Sequence, residues 1–222
     1  MNLKEFNMKI LKKARKITYG IAVLLLLITL VINYNFSTGV LDYFGVANAN
    51  GYLAFTFLSL ALAVASVMKL WPKFALNSSL FLARRAIGVS AFGFAAVHGL
   101  LLFVYAFGAS VANVLLADNA TGGGLILGSI SLFFLFILTC TSTDWAQRTL
   151  GKLWYKLHML TYLAYVLVFA HAIKIGVDFK SINVFSGSFL LIALITLLLV
   201  VAKIWVDKTT PKPIKPVQSE KN

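Results

Sequence analysis

SGSFLLIALITLLLVVAKIW, residues 186–205, is a mostly apolar run that is long enough to indicate the fold class by itself. An α-helix rises about 1.5 Å per residue, so about 20 such residues cross a hydrocarbon core about 30 Å thick. Five further runs of similar character lie at 17–36, 50–70, 86–107, 123–141 and 157–175. We therefore predict an all-α membrane protein, a bundle of six transmembrane helices.

The composition agrees with a membrane protein. Of the 222 residues, 60% are apolar and 12% are charged, and the mean hydropathy is +0.88. A soluble domain of this size cannot bury so much apolar surface, so the excess must face lipid. The net charge of +13 lies in short clusters between the apolar runs, which indicates anchoring at a membrane and not nucleic-acid binding. The single cysteine, Cys140, excludes an internal disulfide and a multi-cysteine iron–sulfur site.

The distribution of lysine and arginine predicts the orientation of the helices. Eighteen of these residues fall on one side of the predicted bundle, and only Lys174 and Lys180 fall on the other. By the positive-inside rule, both termini should be cytoplasmic. The eighteen residues are Lys4, Lys9, Lys12, Lys13, Arg15, Lys16, Lys69, Lys73, Arg84, Arg85, Arg148, Lys152, Lys156, Lys203, Lys208, Lys212, Lys215 and Lys221.

Two further features support this arrangement. All four tryptophans (Trp71, Trp145, Trp154 and Trp205) fall at the predicted cytoplasmic interface, where aromatic residues are enriched. We expect a basic cytoplasmic tail at 1–16, a transmembrane domain at 17–206, and a disordered basic tail at 207–222. No small-residue cleavage site follows the first apolar run, so we expect a retained helix and not a signal peptide.

The histidines are the candidate metal ligands, because ionisable side chains within a membrane are costly and usually functional. The chain has three, His98, His158 and His171. His98 lies 13 residues beyond Arg85 and His171 lies 14 residues beyond Leu157, which puts both about 20 Å from the cytoplasmic face. Two imidazoles at matched depth on different helices can be the axial ligands of one haem iron. The alternative for each is a hydrogen bond to a carbonyl on a neighbouring helix.

His158 has no histidine at its own depth. It opens the run at 157–175, and the equivalent depth on the run at 86–107 is occupied by Arg84 and Arg85. Thirteen residues separate it from His171, about 20 Å along a helix, so the two cannot bind the same iron. Either His158 serves a second haem with a non-histidine partner, or it has another role near a quinone or a flavin.

Two blocks of sequence resemble the ferric-reductase-like transmembrane domain family. The first runs from Arg84-Arg85-Ala86-Ile87-Gly88 to His98, and the gaps of 60 and 13 residues between successive histidines also fit. The resemblance covers roughly residues 50–205. The second block comprises Thr141-Ser142-Thr143, Gln147-Arg148, Leu150-Gly151, Trp154, Leu157-His158, Tyr162 and His171.

This resemblance implies a b-type haem cytochrome of the bacterial inner membrane, an electron-transfer subunit of an oxidoreductase system and not a complete enzyme alone. It implies electrons from membrane quinol or a separate flavoprotein, and a periplasmic molybdopterin reductase of oxidised methionine as the acceptor. FMN is associated with subunits of this kind, but no residue here forms a recognisable flavin site.

Three alternatives to this function remain. The chain could pass electrons to another acceptor, act as a histidine-dependent transporter or proton relay, or be a scaffold with incidental histidines. The transporter is disfavoured because all seven acidic residues lie in predicted tails, loops or interfaces.

Overall fold

The computed structural model describes residues 3–74, 77–176 and 183–209. Within these ranges, six helices are long and apolar enough to cross a membrane, which confirms the predicted fold class. Five spans are single helices: α1 (Leu3–Ile32), α2 (Tyr43–Leu70), α3 (Asn77–Tyr105), α5 (Asn119–Cys140) and α9 (Val184–Thr209). The remaining span consists of two consecutive helices, α7 (Lys152–His158) and α8 (Leu160–Ile175). Two short helices, α4 (Val111–Leu115) and α6 (Asp144–Leu150), lie in the connections.

The first connection differs from the prediction. We expected the first helix to continue to residue 36, but α1 ends at Ile32, and Tyr34–Asn35 (β1) pairs antiparallel with Val40–Leu41 (β2). The Asn35 side chain accepts hydrogen bonds from the N–H groups of Ser37 and Thr38, at 2.9 and 3.2 Å. An asparagine that bonds nearby backbone in this way competes with helix continuation.

The fifth span is also not the single helix predicted at 157–175. It begins earlier, at Lys152, and is interrupted at Met159 between α7 and α8. The N–H of Met159 donates to the carbonyl of Lys156, at 3.2 Å, and the N–H of Tyr162 donates to that of Met159, at 3.1 Å. These bonds span three residues and tighten the turn. His158 therefore ends α7 instead of opening a continuous helix.

Helix α2 is the centre of the bundle. It packs along α3 and α9 and also contacts α1 and α8, while α5 packs on α8 and α1 on α3. The ring of Phe55 stacks on Phe189 at a centroid distance of 3.8 Å and on Tyr165 at 5.3 Å, so one α2 side chain joins α8 to α9. Leu197 and Leu198 on α9 are more than half exposed, as expected for side chains that face lipid.

Polar side chains also connect the helices. Asn50, which is fully buried, donates from Nδ2 to the hydroxyl of Thr29 at 3.2 Å and joins α2 to α1. The hydroxyl of Ser131 donates to the carbonyl of Ala164 at 3.1 Å and joins α5 to α8. Such bonds, together with small residues, are the usual means by which helices associate in lipid.

Two sequence predictions concern the ends of the chain. The basic stretch expected to be a tail at 1–16 is helical from Leu3 onward, as part of α1. The expected disordered tail at 207–222 begins within α9, which continues to Thr209, and its remainder lies outside the described residues. Lys180 also lies outside them.

Candidate functional site

Two of the three histidines face each other across one cavity. His98 lies on α3 and His171 on α8, and their ring centroids are 6.1 Å apart with the ring planes at 89°. Both line a cavity of about 310 Å³ among α2, α3, α5, α8 and α9. The structure thus brings together the pair that the sequence matched by depth.

A backbone carbonyl of α2 holds the ring of His98. Nδ1 of His98 lies 2.8 Å from the carbonyl oxygen of Ala47. One turn further along α2, Gly51 lies directly against the same ring, because a Cβ added there would be 2.8 Å from Nδ1 and 3.0 Å from Cε1. The ring therefore rests on bare α2 backbone.

The same arrangement holds His171 against α5. Nδ1 of His171 lies 2.8 Å from the carbonyl oxygen of Gly124. Gly128, again four residues further along, would carry a Cβ only 2.6 Å from Nδ1 and 2.8 Å from Cε1. Each histidine is thus held by a carbonyl and by a glycine that are one helical turn apart on the neighbouring helix.

These hydrogen bonds determine which nitrogen of each ring is available. A carbonyl oxygen can only accept, so Nδ1 of each neutral ring carries the proton and Nε2 keeps its lone pair. A carbonyl bonded to Nδ1–H is the usual outer partner of a histidine that ligates metal. The alternative considered from sequence, a carbonyl bond, is therefore present, and it leaves the second nitrogen free to act as a ligand.

The spacing of the two rings fits a metal between them. Two metal–nitrogen bonds of about 2 Å, plus the radius of each ring, place the centroids roughly 6 Å apart, and the observed separation is 6.1 Å. Among the residues that the structure describes, no group of three or more His, Cys, Asp or Glu could hold an ion alone. Two axial imidazoles suit haem iron, whose remaining ligands come from the macrocycle.

The remaining cavity wall is mostly apolar and is lined partly by small residues. Ala95, Gly99 and Ala172, close to the histidines in sequence, line it together with Leu132 and other apolar side chains. Ala91, one turn before Ala95, is fully buried in the core between the helices. An apolar cavity with convergent polar groups has the character of a cofactor site.

His158 lies in a different environment. Its Nδ1 bonds the carbonyl of Trp154 in its own helix at 3.1 Å, and its ring stacks on the indole at a centroid distance of 3.8 Å. Nε2 is buried and has no hydrogen-bond partner among residues 3–74, 77–176 and 183–209. The guanidinium groups of Arg84 and Arg85 are near enough to interact electrostatically with this ring.

Arg85 connects this region to α6. It forms an ion pair with Asp144, donates to the side-chain oxygen of Gln147, and lies 5.9 Å from the ring centroid of Trp154. Arg15 of α1 reaches the same Asp144 carboxylate at 3.5 Å. No local sequence pattern indicates these contacts, because Arg85 and Asp144 are 59 positions apart.

Both arginines lower the pKa of the Asp144 carboxyl. The hydrogen bond from Arg85 is the main cause that lowers the pKa of this carboxyl below its usual value, and the charges of Arg85 and Arg15 add to it. Desolvation opposes the shift. The carboxylate is therefore ionised at neutral pH, and its ion pairs connect α6 to α1 and α3.

One tryptophan departs from the simple interfacial belt. Trp71, Trp145 and Trp205 expose more than half of their surface. Trp154 instead points inward, where its indole N–H donates to the carbonyl of Thr141 at 2.9 Å. Its role is to pack against His158 and the loop before α6.

Two glycines of the site, Gly51 and Gly128, were not among the predicted site residues. A signal for them exists in the sequence, since Ala47 and Gly51, and likewise Gly124 and Gly128, are small residues four positions apart. That spacing is common wherever membrane helices approach closely, so it does not by itself indicate a histidine ring.

Comparison with known proteins confirms the predicted family. The profile described as "Ferric reductase like transmembrane component" matches residues 50–169, more than half of the chain, so the chain belongs to this family. The matched region contains Gly51, Gly128 and two of the histidines, His98 and His158; His171 lies two residues beyond it.

Several curated bacterial relatives carry the name "Protein-methionine-sulfoxide reductase heme-binding subunit MsrQ". One from Yersinia enterocolitica is 38% identical over 88 residues, 40% of this chain and 44% of the relative. One from Enterobacter sp. strain 638 is 30% identical over 126 residues, 57% of this chain and 61% of the relative. One from Brucella ovis is 33% identical over 114 residues, 51% of this chain and 49% of the relative.

The chain thus spans about half the length of the curated relatives it matches. Its six potential spans and its bacterial relatives make it a multi-pass protein of the bacterial inner membrane.

Proposed function

We propose that this protein is a membrane electron-transfer subunit that binds haem b through His98 and His171. The observation that carries the proposal is the facing histidine pair, with ring centroids 6.1 Å apart and each Nδ1 bonded to a carbonyl. Both free nitrogens belong to rings that line one apolar cavity. When bound there, haem supplies one-electron redox chemistry within the bilayer.

The names of the relatives support the same cofactor. They describe heme-binding subunits of a protein-methionine-sulfoxide reductase. We therefore propose an MsrQ-like role, in which the chain delivers electrons to a periplasmic, MsrP-like molybdopterin reductase. The chain would work as one subunit of an oxidoreductase system, with its substrate chemistry on the partner.

The proposed direction of electron flow rests on the orientation that the basic residues predict. With cytoplasmic termini, His158, Arg84 and Arg85 lie on the cytoplasmic side, while His98 and His171 lie deeper, toward the outer face. We propose that quinol or a separate flavoprotein donates electrons near His158, with FMN as a second candidate cofactor of this subunit. His158 itself would assist this entry or serve as ligand to a second haem, with the buried Nε2 as the available atom.

The outer end of the site carries one lysine suited to an acidic group. The ammonium of Lys174, one turn beyond His171, lies against Gly123 at the start of α5.

We propose that the basic segment at 1–16 and the segment at 207–222 flank a transmembrane unit at 17–206.

The experiment that tests the cofactor is an absorption spectrum of the purified protein. Reduction with dithionite should give the sharp α-band of six-coordinate low-spin haem b. Replacing both ligands, His98→Ala plus His171→Ala, should remove nearly all of this band. The matched control is Lys156→Ala, an exposed residue of α7. Full haem loading in the double variant would refute the proposal.

A further inference from the structure

We infer that Gly51 and Gly128 are positioning residues for the two facing histidines, each holding one ring where its Nδ1–H reaches a carbonyl one turn away. The tests that measure haem rest on the proposed function. The tests that measure histidine signals and thermal stability do not.

The contacts between glycine and ring carry the argument. A methyl group at Gly51 would lie 2.8 Å from Nδ1 of His98, and one at Gly128 would lie 2.6 Å from Nδ1 of His171. Non-bonded carbon contacts settle at roughly 3.5 Å or more. Either ring would have to move by several tenths of an ångström, and a displacement of that size is enough to spoil a metal-binding geometry.

Other glycines in the spanning helices do not lie against a histidine ring, although Gly124 is equally tight against Ile175. A Cβ at Gly88, Gly93 or Gly187 would have nothing within 4 Å. Gly93 is especially informative because it lies on α3, the helix that carries His98. Tight contact with a histidine ring is therefore specific to Gly51 and Gly128 among the glycines that the structure describes.

Each glycine also works together with a hydrogen bond. The ring of His98 is fixed from the α2 side by the Ala47 carbonyl and by the surface of Gly51. A methyl at Gly51 would push the ring away from α2 and so lengthen the bond to Ala47. The predicted consequence is a loss of preference for the tautomer that leaves Nε2 unprotonated.

The first experiment measures haem in the purified protein. Gly51→Ala and Gly128→Ala should each lower haem per protein several-fold, or convert the six-coordinate band to a high-spin form. The control Gly93→Ala should match the wild type in both measures. Wild-type haem content and spectra in both glycine variants would overturn the inference.

The second experiment reads the histidines without haem. In protein prepared free of haem, ¹⁵N NMR should show the Nδ1–H tautomer for His98 and His171. Gly51→Ala should alter the signals of His98 alone, and Gly128→Ala those of His171 alone. If the wild type binds no haem but these selective changes occur, the proposed function fails and the positioning role stands. Unchanged histidine signals would overturn the positioning role.

A thermal-unfolding cycle separates positioning from simple helix packing, and it remains informative if a single variant folds poorly. Gly51→Ala should lower the unfolding temperature in the wild-type background and have no such effect in a His98→Ala background, where the ring is gone. The same cycle applies to Gly128 and His171. An equal loss of stability in both backgrounds would show that the glycine serves only contact between the helices, and the inference would be wrong.

Discussion

His98 and His171 differ from His158 in which helix holds the ring. Each of the first two bonds a carbonyl of a neighbouring helix, 51 and 47 positions away in sequence. His158 bonds the carbonyl of Trp154 in its own helix, four positions away, and stacks on that residue. The rings of His98 and His171 therefore lie between helices, whereas the ring of His158 packs against its own helix.

The difference shows how the same residue type comes to lie in two different environments within one bundle. Each bond across helices holds a ring between two helices, and two such bonds place His98 and His171 at one cavity. A bond within one helix leaves the ring available to its local neighbours, here Trp154 and the arginines of α3. Three predictions test this contrast.

The largest expected effect concerns which side of the membrane each region occupies. The basic asymmetry predicts a cytoplasmic C-terminus, so a reporter fused there should be active in its cytoplasmic form and silent in its exported form. A fusion after Gly176, close to Lys174, should give the reverse pattern. A C-terminal fusion active only when exported would exchange the entry and exit sides of the proposed electron path.

The second prediction separates His158 from the facing pair. His158→Ala should leave the spectrum of a haem bound by His98 and His171 largely intact. It should slow reduction of that haem by quinol or a flavin donor about tenfold, the effect of a barrier raised by about 1.4 kcal/mol. Stopped-flow reduction measures the rate, with Lys156→Ala as the control on the same helix.

The other outcomes of this substitution are also informative. Loss of a distinct spectral fraction would assign a second haem to His158. Loss of all haem from a folded protein would contradict the separation between the two regions. Unchanged haem content and kinetics would leave His158 with a packing role beside Trp154.

The smallest effect concerns the ion pairs beside His158. Asp144 is half exposed, so its pairs with Arg85 and Arg15 should contribute only about 0.5 kcal/mol to stability. Because its pKa is lower in the folded protein, this contribution is present above about pH 4, the ordinary value for an aspartate. It is lost as the pH falls through the folded-state pKa.

Thermal unfolding in detergent measures this contribution. Asp144→Asn should lower the unfolding temperature slightly at pH 7, and the difference from the wild type should shrink below about pH 4. Arg148→Ala, an exposed change on the same helix, is the control. A difference that persists undiminished at low pH would show that Asp144 acts through its shape and not its charge.

Much of the fold could be predicted because a membrane demands long apolar helices, and these are visible as runs of sequence. The predicted starts of α2 and α3, at 50 and 86, were too late, because these helices begin at Tyr43 and Asn77. Two further errors lie where hydrogen bonds end or interrupt a helix. Asn35 turns the chain soon after Ile32, and Met159 separates α7 from α8. The break at Met159 involves neither proline nor glycine, so the residue types do not predict an interrupted helix there.

For the candidate site, the sequence alone identified the three histidines, because polar side chains stand out within apolar runs and helical rise converts position into depth. Depth does not tell which way a side chain points around its helix. Helix packing decided that His98 and His171 face each other, that Gly51 and Gly128 support their rings, and that Asp144 meets Arg85. These contacts join residues distant in sequence, so they exist only once the helices have taken their relative rotations.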